Sequence, residues 1–137
     1  QRTWNDVKVG SELTPLVKSP TTRQLVMYAG ASGDFYEIHY DRPFAVEQGL
    51  PGVILHGALK SAFLGQLVTD WIGPQGELKS LSVRYREMDV PGDTLTCKGY
   101  VTEKDNDTRT LRCDIWLENS QGAKTTTGEA VVTLPSG

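Results

Sequence analysis

Hydrophobic residues follow two different periods along this chain, and the change of period divides it near Gly73-Pro74. Beyond Leu78 they alternate with polar or outward-facing neighbours: Leu81, Val83 and Tyr85; Leu95, Cys97, Gly99 and Val101; Leu111, Cys113, Ile115 and Leu117; Gly128, Ala130, Val132 and Leu134. A period of two buries one face of a strand and wets the other. Pro91-Gly92-Asp93, Asp105-Asn106-Asp107 and Asn119-Ser120-Gln121-Gly122 separate the runs with residues that favour turns. The spacing predicts four long strands joined as an antiparallel meander.

The first half reads as helices and loops. Thr21 or Thr22 can cap a helix running to about Ala31, and Ser32-Gly33 ends it. A polar loop, Gly33 to Asp41, comes next. Arg42-Pro43 opens a short helix that Gly49 stops. Val53-Ile54-Leu55 is expected to be a brief apolar strand. The longest helix is expected from Gly57 to about Trp71. Leu59, Phe63, Leu67 and Trp71 form one row on it, and Leu64, Val68 and Ile72 a second. Only Lys60, Ser61, Gln66, Thr69 and Asp70 make a narrow polar stripe. A helix apolar over most of its circumference needs cover on several sides, and one sheet curled around it supplies that cover. The expectation is a single α+β domain over residues 1–137, without internal repeats.

Composition narrows the function classes. A chain of 137 residues supports one core. With 14 Lys+Arg against 17 Asp+Glu the net charge is -3, unlike the basic face of a nucleic-acid binder. No apolar run is long enough to span a bilayer. No basic segment followed by an apolar stretch reads as a secretory signal. Cys97 and Cys113 suit two small buried hydrophobes rather than a metal cluster or disulfide. A reducing cytoplasm is therefore the expected compartment.

Candidate chemistry gathers in the irregular segments. The two histidines, His39 and His56, lie there, and imidazole is the side chain best suited to proton exchange near neutral pH. Asp34 precedes His39 by five residues, an offset that places them apart on a helix or a strand. They converge only if the loop folds back; otherwise they are a turn Asp and a structural His. His56-Gly57 opens the long helix, whose unpaired N–H groups suit an oxygen gaining negative charge. Gly57 either lets a carbonyl approach that backbone or allows close packing, and His56 either caps or packs. Arg84 and Arg86 fall on a polar strand face, solvated or meeting an anionic carrier or nucleotide tail. There is no Gly-x-Ser-x-Gly, phosphate loop, His/Cys metal spacing or paired glutamates.

Tyr28-Ala29-Gly30-Ala31-Ser32-Gly33-Asp34-Phe35, then Ile38-His39-Tyr40-Asp41, then Ala45, Gly49 and His56-Gly57-Ala58, resemble the MaoC-like (R)-specific enoyl-thioester hydratases over nearly the whole chain. The resemblance implies a hot-dog fold, an antiparallel sheet wrapped around a long central helix. It implies that Asp34 and His39 are a catalytic dyad holding the water that adds to a 2-enoyl-CoA. It implies that the Gly57 amide binds the thioester oxygen. Tyr36 and His56 are expected to contact the substrate. No metal and no cofactor beyond the substrate's own CoA is expected. The family usually reads Gly-Asp-x-Asn-Pro-Ile-His, whereas Tyr36-Glu37 stand here in place of Asn-Pro, which suggests a pocket reshaped for a bulkier acyl group. Val68 to Pro74, Asp41-Arg42 and Ala45 to Gly49 are similar to an actinobacterial subset that hydrates steroid side-chain enoyl-CoAs, some as heteromers. A homodimer or a heteromer with a second MaoC-like subunit is expected. The alternatives are a 3-hydroxyacyl carrier-protein dehydratase of fatty-acid synthesis and a non-catalytic partner subunit. A thioesterase fits the Asp/His loop less well.

Overall fold

The alternating second half folds into the expected strands in a computed structural model that describes residues 1–137. They are β2 (Glu77–Tyr85), β3 (Leu95–Asp105), β4 (Thr110–Glu118) and β5 (Lys124–Thr133), preceded by a short β1 (Leu16–Lys18). Leu95, Cys97 and Val101 of β3 and Leu111, Cys113, Ile115 and Leu117 of β4 are buried, each on the face that the period of two assigned. The helices are α1 (Thr22–Ser32), α2 (Arg42–Glu47) and α3 (Gly57–Ile72). Thr21 caps α1 by accepting the Gln24 N–H, and Asp41 caps α2 by accepting that of Phe44.

The five strands form one antiparallel sheet in the order β1-β3-β4-β5-β2. The expected four-strand meander is therefore corrected to three strands, β3-β4-β5. Strand β2 lies beyond β5, with Val83 opposite Gly128 and Tyr85 opposite Thr126, and residues 86–94 cross back to β3. Alternation states which face of a strand is buried but not which strand lies beside it. Val53-Ile54-Leu55 also differs from expectation. It belongs to no ladder: the Ile54 N–H bonds to the Ile38 carbonyl and the Leu55 N–H to that of Asp89. Neither partner lies in a strand.

The sheet curls around α3, whose Leu59, Phe63, Leu64, Leu67, Val68, Trp71 and Ile72 are buried. No helix is long and apolar enough to cross a membrane. Lys60 corrects the helix pattern. Assigned to the polar stripe, it is only 3% exposed. Its ammonium lies 3.0 Å from Asp89 Oδ2 and donates to the Glu87 carbonyl at 2.9 Å, and the Thr125 hydroxyl donates to the same Asp89 oxygen at 2.6 Å. A buried pair of this kind adds little net stability over apolar residues, but removing one partner strands a charge in the interior.

The sign of that asymmetry is measurable. Lys60→Met should lower unfolding free energy by about 3–5 kcal/mol, read by urea denaturation. The double variant Lys60→Met with Asp89→Leu should recover most of the loss.

Candidate active site

Asp34 and His39 meet because the chain between them turns back on itself. Gly33 ends α1 with φ 78°, in the left-handed region that glycine enters without strain. Asp34 Oδ1 then accepts the Tyr36 N–H at 3.3 Å, which closes a turn through the side chain. One 3₁₀ turn over Glu37–His39 follows, with the His39 N–H bonded to the Tyr36 carbonyl at 3.1 Å. The fold-back that five-residue spacing required is thus supplied by an Asx turn and a 3₁₀ turn. Asp34 Oδ2, the oxygen left free, lies 3.8 Å from His39 Nε2.

The histidine's tautomer follows from its other nitrogen. His39 Nδ1 is 2.8 Å from the Ile54 carbonyl, and a carbonyl only accepts, so Nδ1 carries the proton. In its neutral form His39 presents a lone pair at Nε2, facing a carboxylate oxygen that also accepts. At 3.8 Å the two acceptors cannot bond each other, but a water between them can donate one hydrogen to each. The water's remaining lone pair is then free to attack an electron-poor carbon.

His56 lies behind this pair. Its ring stacks on that of His39, with centroids 3.8 Å apart and planes at 20°, and the Tyr28 ring meets it edge-on at 4.8 Å. Nε2 lies 3.3 Å from the Asp34 carbonyl, to which it donates, while Nδ1 is buried without a partner. His56 occupies the N-cap position of α3 without making a capping bond. Burial, then the neighbouring His39, pushes its pKa below 6.5, so the ring is neutral. Its expected contact with substrate is corrected, because His56 has no exposed surface. It packs under His39 and sets that ring's plane. Asp34, His39 and His56 do bring ligand atoms within 4.8 Å of one another. The two rings are nearly parallel, however, so their in-plane lone pairs do not converge on one ion in the tetrahedral geometry zinc prefers.

Gly57, the first residue of α3, has an N–H with no acceptor in the chain. A Cβ here would lie 2.9–3.2 Å from the ring of Tyr85. The glycine permits close packing, and its amide is bare. Tyr85 was placed by alternation on the inner face of β2. It is half exposed, and its hydroxyl is 2.7 Å from Ser61 Oγ across the start of α3. Tyr36 sits edge-on to His39 at 6.2 Å and to Phe44 at 6.0 Å, supporting the loop from its solvent side.

Two hollows flank His39, which lines both. One, of about 520 Å³, is bounded by Gly57, Lys60, Tyr85, Arg86 and Met88. The other, of about 430 Å³, is bounded by Val26, Tyr40, Val53 and Val90. Each falls within the size range of small-molecule sites. Lys60, Tyr85 and Met88 are among the site-lining residues that the sequence pattern missed. The available signal for Lys60 was its place one turn after Gly57 on α3, and Tyr85 gave none.

The family model described as the MaoC like domain matches residues 6–132. The "3-oxo-4,17-pregnadiene-20-carboxyl-CoA hydratase beta subunit" of Mycobacterium tuberculosis is 33% identical over 94 residues, covering 69% of this chain and 73% of that protein. The "(R)-specific enoyl-CoA hydratase" of Aeromonas caviae is 30% identical over 115 residues, covering 82% and 84%. Among solved structures, a chain from the crystal structure of the ChsH1-ChsH2 complex from Mycobacterium tuberculosis superposes with a TM-score of 0.85 at 27% identity, over 93% of this chain and 98% of that one.

Since folding depresses the His56 pKa, the unfolded chain binds its proton first as pH falls. Stability held above pH 6.5, the ordinary histidine value, should therefore decline as pH drops below it. Urea midpoints between pH 7.5 and 5.5 should show this decline, and His56→Gln should flatten it.

Proposed function

The chain belongs to the MaoC-like family, which includes (R)-specific enoyl-CoA hydratases, and on that premise we propose that it hydrates the double bond of a 2-enoyl-CoA. The reverse reaction removes water from the 3-hydroxyacyl-CoA. The observation that carries this reading is the pair of acceptors, Asp34 Oδ2 and His39 Nε2, set 3.8 Å apart on the hot-dog scaffold. The bare Gly57 amide lies in a hollow that His39 also lines. A water held by the pair adds through oxygen to the β-carbon, and the π electrons move toward the thioester oxygen. The Gly57 N–H meets that oxygen as it becomes an enolate. The pair takes one proton from the water and returns one to the α-carbon, so the sum is H–OH across C=C. Fixed donors aimed at developing charge are worth about 3–4 kcal/mol each in other enzymes. The residues ask for no metal and no cofactor beyond the substrate's own CoA.

The acyl group proposed is a bulky one, such as a steroid side chain. Tyr36-Glu37 in place of Asn-Pro supports this, as does the relative acting on 3-oxo-4,17-pregnadiene-20-carboxyl-CoA. A second reading concerns assembly: the chain works with another hot-dog subunit. Phe35, Tyr36 and Met88, each at least half exposed beside the site, leave apolar surface for a partner to cover. That relative is itself called a beta subunit. The cytoplasm is the compartment we propose, in keeping with two free, buried cysteines, Cys97 and Cys113, and no disulfide between them.

Asp34→Asn and His39→Ala should each lower kcat/KM for crotonyl-CoA or a steroid enoyl-CoA by about 10²–10⁴-fold, with the circular dichroism spectrum kept. Full turnover in both variants would sink the proposal. Gly57→Ala should cut kcat by displacing Tyr85 and crowding the thioester oxygen. Its melting temperature should change little, because alanine's helix preference of about 1 kcal/mol offsets the repacking. A panel from four-carbon to steroid enoyl-CoAs, with and without a second MaoC-like subunit, reads out both acyl preference and assembly.

A further inference from the structure

On the outer face of the sheet, at the end where α3 begins, three cations gather with no ion pair among them. Arg84 of β2 stands opposite Thr127 of β5. Arg86, just past the end of β2, donates from Nε to the Thr127 hydroxyl at 3.2 Å. Lys124 opens β5 with its ammonium 4.1 Å from the centre of the Trp116 ring. All three line one groove of about 460 Å³. None is within 4.0 Å of a carboxylate. Of the other cations of the sheet, Lys79 pairs with Glu77, Lys98 with Glu118, and Arg112 with Glu103 and Glu129, while Lys18 and Lys104 stand singly, on the Phe63 ring and on the Trp4 and Val7 carbonyls.

The groove's own carboxylates do not restore balance. Glu129 is engaged by Arg112, which leaves Asp114 as the one uncommitted acid against three cations. Nearby Glu118 is held below the usual carboxylate range by hydrogen bonds from Trp116 and Lys98 and by the charges of Lys98 and Lys124, so it balances Lys124 in part and leaves Arg84 and Arg86 as the open cations. In a chain whose net charge is -3, this is a local positive field on an otherwise acidic molecule. Like charges held together repel unless an anion joins them.

The groove adjoins the reaction site. Arg86 lines both this groove and the hollow that holds His39 and Gly57. The start of α3 lies against the end of β2, where Tyr85 covers Gly57. A thioester with its oxygen on the Gly57 amide can extend its pantetheine arm past Arg86, over the rim of β2 and onto the outer face. A free CoA ends there in a diphosphate and a 3′-phosphate, which guanidinium groups bind by paired N–H donors.

We propose that Arg84, Arg86 and Lys124 form the phosphate-binding stripe of this protein, take the nucleotide end of CoA, and make a free CoA thioester its substrate in preference to a carrier-bound one. The proposal rests on the reading of Asp34, His39 and Gly57 as the hydratase site. It adds the part of the substrate that those residues do not touch.

The test compares crotonyl-CoA with crotonyl-pantetheine, which lacks the phosphates, and with a crotonyl carrier protein. Arg84→Gln with Lys124→Gln should lower the kcat/KM ratio of the CoA thioester to the pantetheine thioester about tenfold or more, as expected for losing charged hydrogen bonds. Arg86→Gln should act in the same direction, whereas Lys79→Gln, away from the groove, should leave the ratio alone. The KM for crotonyl-CoA should rise with ionic strength. In parallel, calorimetry with adenosine 3′,5′-bisphosphate should show binding that the double variant weakens. An unchanged ratio together with unchanged bisphosphate binding overturns the proposal, and so does a loss confined to the carrier-protein thioester. If no enoyl thioester is turned over but bisphosphate binding falls in the variants, the stripe stands and the hydratase reading fails.

Discussion

A helix of 16 residues with hydrocarbon on most of its circumference cannot stand in water, and the rest of this molecule is organised by the need to hide it. The five-stranded sheet curls around α3 and covers its sides. What the sheet leaves open is the helix's first turn. There the N–H groups have no intrahelical partner and the dipole is positive. A bare amide at the mouth of an apolar interior is thus a by-product of burying α3. Gly57 keeps that amide accessible while Tyr85 packs against its α-carbon.

Polar groups near that opening are mostly partnered, although His56 Nδ1 and Asp89 Oδ1 are buried without a hydrogen bond. His56 is completely buried, which favours its neutral form, and its stacking under His39 holds the ring that faces Asp34. Lys60, one turn along α3, keeps its charge but has Asp89 and the Glu87 carbonyl as partners. The same contacts tie residues 87–89 to the start of the helix, and the Leu55 N–H bond to Asp89 ties in the segment before it. The interior side of the site is therefore rigid. Its solvent side is Asp34, nearly half exposed and held by a single turn. One acceptor is fixed by the core and the other reaches it through a loop, which suits a pair that must both hold water and admit a substrate.

Much of this was legible in the amino-acid order. Alternation in residues 95–117 identified the buried faces of β3 and β4, because a strand's period is fixed by backbone geometry. Thr21 and Gly33 marked the ends of α1, because capping is decided by local hydrogen bonding and φ. The Ser32-Gly33-Asp34 to Ile38-His39 pattern, with His56-Gly57 after it, pointed to the hydratase family, and the family model that matches residues 6–132 bears that out.

Other features lay outside local pattern. Strand β2 pairs with β5 rather than β3, since alternation is blind to neighbours. Lys60 looked like a solvated residue, and only the arrival of Asp89 from a distant loop made its burial possible. His56 was assigned to the substrate, yet the Tyr28 and His39 rings enclose it. By itself the sequence determined the helices, the four long strands, most of their buried faces and the family, because periodicity, capping and motif act over a few residues. The tertiary structure decided that His39 Nε2 stands 3.8 Å from Asp34 Oδ2, that Gly57 is both packed and bare, and that cations without ion pairs stand beside the site. Local turns bring Asp34 toward His39, but Ile54 and His56 fix the His39 ring and Tyr85 comes from a strand far along the chain, all meeting around one buried helix.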